Sequence, residues 1–130
     1  MQKIVIDTNV FVSALLTPNG NCAKIANAIS DEEIHFCYND RILFEYKYIF
    51  SKDKFNFEIE KQNKIINQII KWGHIVEPFI SNIPLPDEND RIFYDTAKTV
   101  NAILITGNKK HYPKENFIKT PTEYLKYIKK

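Results

Sequence analysis

The chain has 130 residues, 44% of them hydrophobic and 26% charged, the make-up of a globular domain able to bury its own core. That composition excludes collagen-like, low-complexity and wholly disordered architectures, and two cysteines without zinc-ligand spacing, Cys22 and Cys37, exclude a disulfide framework. The net charge is +2, unevenly spread: from Lys98 onward eight lysines face two glutamates, a local +6 against −4 for the first 97 residues. A basic C-terminal third suits a polyanion, although a solvated lysine-rich face has the same composition. No basic region with a following apolar stretch and cleavage site opens the chain. No run approaches the roughly 20 apolar residues of a membrane span. These features lead us to expect a cytoplasmic protein with reduced thiols and no membrane partner.

Residues 3–6 form an apolar, β-branched run that reads as a buried strand ending in Asp7-Thr8-Asn9. Residues 10–16 read as helix, broken by Pro18-Asn19-Gly20. Cys22, Ile25, Ala26 and Ile29 then follow the spacing of an amphipathic helix. Residues 34–38 are a second strand. Asn39 or Asp40 caps a helix with Ile42, Tyr46, Ile49 and Phe50 on one face. A further helix spans 56–72 and stops at Gly73. A third strand follows over 74–79, then a loop with two prolines. Asp87 opens a helix to about Val100, and residues 102–106 are a fourth buried strand. A short fifth strand falls near Phe117-Ile118. Thr120-Pro121-Thr122-Glu123 is a capping box with proline at the first helical position, starting a terminal helix.

Strands separated by helices of crossover length predict a parallel sheet. Strands apolar on both faces are covered on both sides. The expected fold is therefore a single three-layer α/β/α domain over residues 1–130, with a mostly parallel sheet of four to five strands. Ligands of such sheets bind beyond the carboxyl ends of the strands. Asp7 stands at one such end, Thr106 and Asn108 at another, and Asp87 and Asp90 open the helix that feeds the fourth strand. Glu45 falls beside the apolar stripe of its helix, at the edge of the buried face. Carboxylates crowded there stay ionised only with a cation among them. Mg²⁺ or Mn²⁺ is the cation that such oxygen donors select, and it would activate water against a phosphodiester. Each residue also has a local use: Asp7 and Asp87 fit helix caps, Asp95 fits a surface charge, and Lys109, Lys110 and His111 fit a polar loop.

Taken in order, these residues resemble the PIN domain, and more narrowly the VapC-like PIN toxins of bacterial and archaeal toxin–antitoxin pairs. Four stretches carry the resemblance: residues 4–16 (IVIDTNVFVSALL), the helix holding Glu45, residues 87–93 (DENDRIF) with Ala97, and residues 103–108 (ILITGN). The resemblance implies a metal-dependent endoribonuclease. Asp7, Glu45 and Asp90 would hold Mg²⁺ or Mn²⁺ directly or through water. Asn108 stands where many members carry a fourth acid and, being neutral, would orient a water or bind the metal weakly. Thr8, Asn9 and Thr106 would hydrogen-bond the cluster, Asp95 would join its outer shell, and Lys109 and Lys110 would meet phosphate. An RNA substrate, a cognate antitoxin and a homodimer are the partners this family implies. Two other readings remain. One is a PIN fold reduced to RNA binding or protein interaction, which the neutral Asn108 favours. The other is a haloacid-dehalogenase-type phosphatase, which needs an acid where Asn9 stands.

Overall fold

In the computed structural model, which describes residues 2–129, five strands form one parallel sheet. They are β1 (Gln2–Ile6), β2 (Ile34–Tyr38), β3 (His74–Ile75), β4 (Ile103–Ile105) and β5 (Ile118–Lys119), in the order β3-β2-β1-β4-β5. The sheet is flanked by α1 (Thr8–Leu16), α2 (Asn21–Ala28), α3 (Asp40–Phe50), α4 (Ile59–Trp72), α5 (Arg91–Val100) and α6 (Pro121–Ile128). This is the three-layer arrangement expected from the strand–helix alternation. Ile4, Val5 and Ile6 point alternately to the two faces of β1, and all three are buried, so both faces are covered.

An aromatic cluster sets the position of α3. Phe11 of α1 meets Tyr46 edge-on with ring centroids 5.0 Å apart, and Phe36 and Phe50 at 6.1 and 6.3 Å. Tyr46 also stacks against Phe93 of α5 at 6.1 Å. The fully buried Tyr46 hydroxyl donates to the Ile6 carbonyl at the last residue of β1. A buried tyrosine finds a partner for its hydroxyl, and this one ties α3 to the strand end from which Asp7 emerges.

Local signals account for the termini. Asn39 accepts from the Ile42 amide at 3.1 Å and donates to Thr96 at 2.9 Å. Thr120 and Glu123 form the reciprocal capping box at the start of α6. Asn101 ends α5 with φ 56°, the left-handed stop that asparagine tolerates.

Three boundaries differ from the sequence reading. The helix expected over 56–72 begins at Ile59, because Asn56 closes a turn with φ 49°, outside helical space. The strand expected over 74–79 is ladder-paired only at His74–Ile75. Val76 still donates to Tyr38 at 2.8 Å, but Pro78 has no N–H, and the Phe79 amide turns to the Thr99 hydroxyl at 3.0 Å. The helix expected from Asp87 splits into a 3₁₀ turn over Glu88–Asp90 and then α5.

Gly73 joins α4 to β3 where there is no room for a side chain. Its φ is −78°, which any residue adopts, but a Cβ would lie 2.5 Å from the Ile69 carbonyl oxygen and 2.6 Å from the Tyr38 ring. Gly73→Ala should therefore destabilise the domain by about 1–3 kcal/mol through overpacking, read as a lowered urea midpoint at unchanged m-value.

Candidate active site

β1 and β4 are neighbours with Ile6 opposite Ile105, so the residues that follow, Asp7 and Thr106, leave the sheet side by side. β2 lies on one side of β1 and β4 on the other. The crevice beyond their carboxyl ends is thus the switch point where open parallel sheets place ligands.

Asp7 is only 6% exposed. Its Oδ2 accepts from the Thr106 and Tyr112 hydroxyls, each at 2.9 Å. Burial raises its pKa above the ordinary carboxyl value, and the two hydroxyls oppose that rise by stabilising the anion. The Thr106 hydroxyl in turn accepts from the Asn108 amide at 3.0 Å and from the Asn9 side chain at 3.4 Å. Asn9 also accepts from the Gly107 amide at 3.0 Å. The loops after β1 and β4 are thereby fastened to each other.

Asp87 caps the 3₁₀ turn, its Oδ1 accepting from the Asn89 amide at 2.9 Å. Asp90 ends that turn and points back toward Asp7. Its carboxyl is pushed up to about 6 by burial first, then by the charges of Asp7 and Asp87, with His111 opposing. Its Oδ2 is buried and has no hydrogen-bond donor; His111 Nδ1 stands 3.5 Å away, outside hydrogen-bond geometry. Glu45, half-buried on α3, is raised by burial and then by Asp7, with Lys52 opposing and Asp87 adding. Glu45 and Asp90 thus each feel the charge of Asp7 and of Asp87.

The remaining expected residues divide. Thr106 bonds Asp7 directly, the backbones of Thr8 and Asn9 also act on its carboxyl, the Asn9 side chain goes to Thr106 and Gly107, and the Thr8 hydroxyl is buried without a partner. Asn108 is exposed and contributes its backbone amide. Asp95 is a correction. It is 2% exposed rather than a surface charge, and its carboxylate is taken up by Ser81, accepting from the amide at 2.9 Å and the hydroxyl at 2.6 Å. It fixes the 81–83 loop and gives nothing directly to the cluster. Lys109 is held by Glu123 at 3.1 Å, which draws its ammonium toward α6, while Lys110 is exposed.

Three residues of this neighbourhood escape a reading of the sequence. Tyr112 lies in a lysine-rich loop where nothing in the pattern signals burial. Arg91 donates to both Glu88 carboxylate oxygens at 2.7 Å, to the Ser81 carbonyl at 2.9 Å and to the Ile83 carbonyl at 2.7 Å. His111 gains its place beside Asp90 only through the 3₁₀ turn over Lys109–His111.

The donors are all oxygens, the set that Mg²⁺ and Mn²⁺ prefer. Among the described residues, no three Asp, Glu, His or Cys side chains converge closely enough to enclose an ion by themselves. A cation there would be held by one or two carboxylates and completed by water and substrate oxygens, as Mg²⁺ commonly is. The donorless Asp90 Oδ2 is the atom such an ion would satisfy.

A parallel α/β sheet with acidic groups gathered past its central strands defines the class. Within that class the chain belongs to the PIN-domain family, whose model, described as PIN domain, matches residues 3–110. It is 34% identical over 110 residues to the uncharacterised protein MJ1680 of Methanocaldococcus jannaschii, covering 82% of this chain and 71% of that protein. The fold is similar to a chain in the crystal structure of VapBC2 from Rickettsia felis bound to a DNA fragment from their promoter. The TM-score is 0.58 at 16% identity, over 92% of this chain and 97% of that one. At that identity the likeness is one of fold. Among the described residues, no helix is long and apolar enough to cross a membrane.

Because Asp90 is raised in the folded state, the native protein binds more protons than the unfolded chain between the ordinary value of 3.8 and about 6. Stability contributed at this residue is therefore lost as pH rises through that window. In metal-free protein Asp90→Asn should raise the melting temperature at pH 7.5, by a gain on the order of 2 kcal/mol. The gain should vanish by pH 3.5. Thermal melts in EDTA at the two pH values check this.

Proposed function

We propose that the protein is a divalent-cation-dependent endoribonuclease and the toxin of a toxin–antitoxin pair. The observation that carries this reading is the Asp90 Oδ2 atom, buried without a hydrogen-bond donor, on a carboxyl that, like Glu45, feels the charge of Asp7. A buried carboxylate oxygen with no donor costs stability, and a site keeps such a cost where a cation is to be bound. Membership of the PIN-domain family and a fold shared with a VapBC2 chain support the same reading.

Asp7 and Asp90 would hold the ion, with Glu45 acting through water. When bound, Mg²⁺ or Mn²⁺ supplies Lewis-acid polarisation of the phosphodiester and counter-charge for the acids. The protein's own contribution is positional. Thr106 and Tyr112 fix one oxygen of Asp7. Glu45, with its raised affinity for protons, is suited to accept one from an attacking water. His111 places a cationic or neutral imidazole beside Asp90, and Lys110 stands exposed in the same loop for substrate phosphate. Asn9 spends its side chain on Thr106 and Gly107, so it supplies none of the acid chemistry a phosphatase of the haloacid-dehalogenase type requires.

The partners would be RNA, a second copy of the chain and a cognate antitoxin, by analogy with the two-component complex of the structural neighbour, and the setting would be cytoplasmic. The purified protein should cleave single-stranded RNA in Mn²⁺ or Mg²⁺ and stop in EDTA. Asp7→Asn should lower the rate by at least about 100-fold with the fold retained by circular dichroism. RNA binding without cleavage in either metal would instead favour a non-catalytic RNA-binding module.

A further inference from the structure

α3 buries one side in the aromatic cluster and turns another outward that the mechanism does not use. Phe44 is 71% exposed and Tyr48 55% exposed. Four residues apart, they are neighbours on the helix surface. Their rings lie within 6° of parallel, with centroids 6.5 Å apart. Cations stand at both ends of the pair. Arg41 precedes it by one turn and forms no ion pair among the described residues. Lys52, just past the helix, holds its ammonium 5.3 Å from the centre of the Tyr48 ring. The rings border a groove lined also by Arg41, Asn89, Ile92 and the carboxylates Asp40, Glu45 and Glu88, so the platform meets the acidic site at Glu45, and a bound strand would have to keep its phosphates toward Arg41 and Lys52. Lys52 links the two, because its charge also acts on the Glu45 carboxylate.

We propose that Phe44 and Tyr48 form a base-stacking subsite for single-stranded RNA, with Arg41 and Lys52 meeting the flanking phosphates. This deepens the ribonuclease reading and rests on it for the choice of RNA. Exposed parallel rings between cations are the means by which proteins hold unpaired strands, since every base has a π-face and the backbone is anionic. A duplex hides those faces. The patch is too small for a stable protein partner: two aromatic side chains present at most about 400 Å², half of the roughly 800 Å² each side of a stable interface buries. The subsite lies on the helix that carries Glu45. A strand stacked there would therefore run its backbone along the acidic crevice.

The test uses a ten-nucleotide single-stranded RNA carrying 2-aminopurine, titrated with the full chain in EDTA so that binding is read without cleavage. The wild-type protein should bind and quench the fluorescence, as stacking does. Phe44→Ala/Tyr48→Ala should weaken binding on the order of tenfold or more and abolish the quench. Phe44→Trp/Tyr48→Phe should restore both, and the matching duplex should bind more weakly than the single strand. Both rings are exposed, so the variants keep the fold, which circular dichroism verifies. Four results would overturn the subsite: no binding by the wild type at about 100 µM, equal binding by the alanine variant, equal binding of the duplex, or a change in sedimentation with RNA affinity unaltered, which would mark a protein interface. Cleavage of the same RNA in Mn²⁺ is scored separately. Quenching without cleavage would remove the ribonuclease reading and leave the subsite. Cleavage with an unaffected alanine variant would do the reverse.

Discussion

The parallel pairing of β1 with β4 places a buried carboxylate at the edge of the sheet, and the rest of the site is arranged around that charge. With Ile6 opposite Ile105, Asp7 emerges beside Thr106, and the lone pairs of one carboxylate oxygen are met by two hydroxyls. A register slip of one residue would turn Asp7 to the other face and part it from Thr106. Residues 97 and 98 positions apart in the chain depend on that register, since Asn9 reaches both Thr106 and Gly107. The Tyr46 hydroxyl on the Ile6 carbonyl extends the same constraint to α3 and hence to Glu45.

Once Asp7 is fixed, its charge adds to burial in raising its neighbours. Asp90 and Glu45 are both raised in its presence, so the metal-free site works against folding at neutral pH. The loop that delivers Asp90 is correspondingly well fastened. Ser81 is gripped from inside by Asp95 and from outside by Arg91, which also holds Ile83 and Glu88. Asp87 then caps the 3₁₀ turn that ends at Asp90. Buried hydrogen bonds of this kind, several involving charges, are worth more than ordinary ones. They hold in place a carboxylate that repulsion would otherwise push toward water.

What could be read from the sequence was what local chemistry decides. β2 over residues 34–38 and the capping box at Thr120 follow from apolar alternation and from side chains acting within four residues of themselves. The strand ending in Asp7 and the strand ending in Thr106 are apolar on both faces, which marks them as interior strands of the sheet; their adjacency, which brings the polar ends together, is set by the fold. The misreadings concern groups whose role is set by distant partners. Asp95 looks like a helix surface charge until the 76–87 loop folds over it. Tyr112 and Arg91 carry no periodic signal, since a loop places one, and Glu88, Ser81 and the Ile83 carbonyl occupy the other. The third strand reads too long because hydrophobicity continues to Ile80, whereas pairing needs an N–H that Pro78 lacks and a direction that Phe79 abandons for Thr99.

The neutral Asn108 acquires a physical reading from its surroundings. A fourth carboxylate there would add repulsion to a site in which Asp90 is already held near 6. With asparagine, the backbone amide braces Thr106 and the side chain stays in solvent. The charge that remains is three acids with Asp87 within range, and it is partly answered by His111 at Asp90 and Lys52 near Glu45. On the metal-dependent reading, one dication would offset most of that charge, and substrate phosphate and water would complete its surroundings.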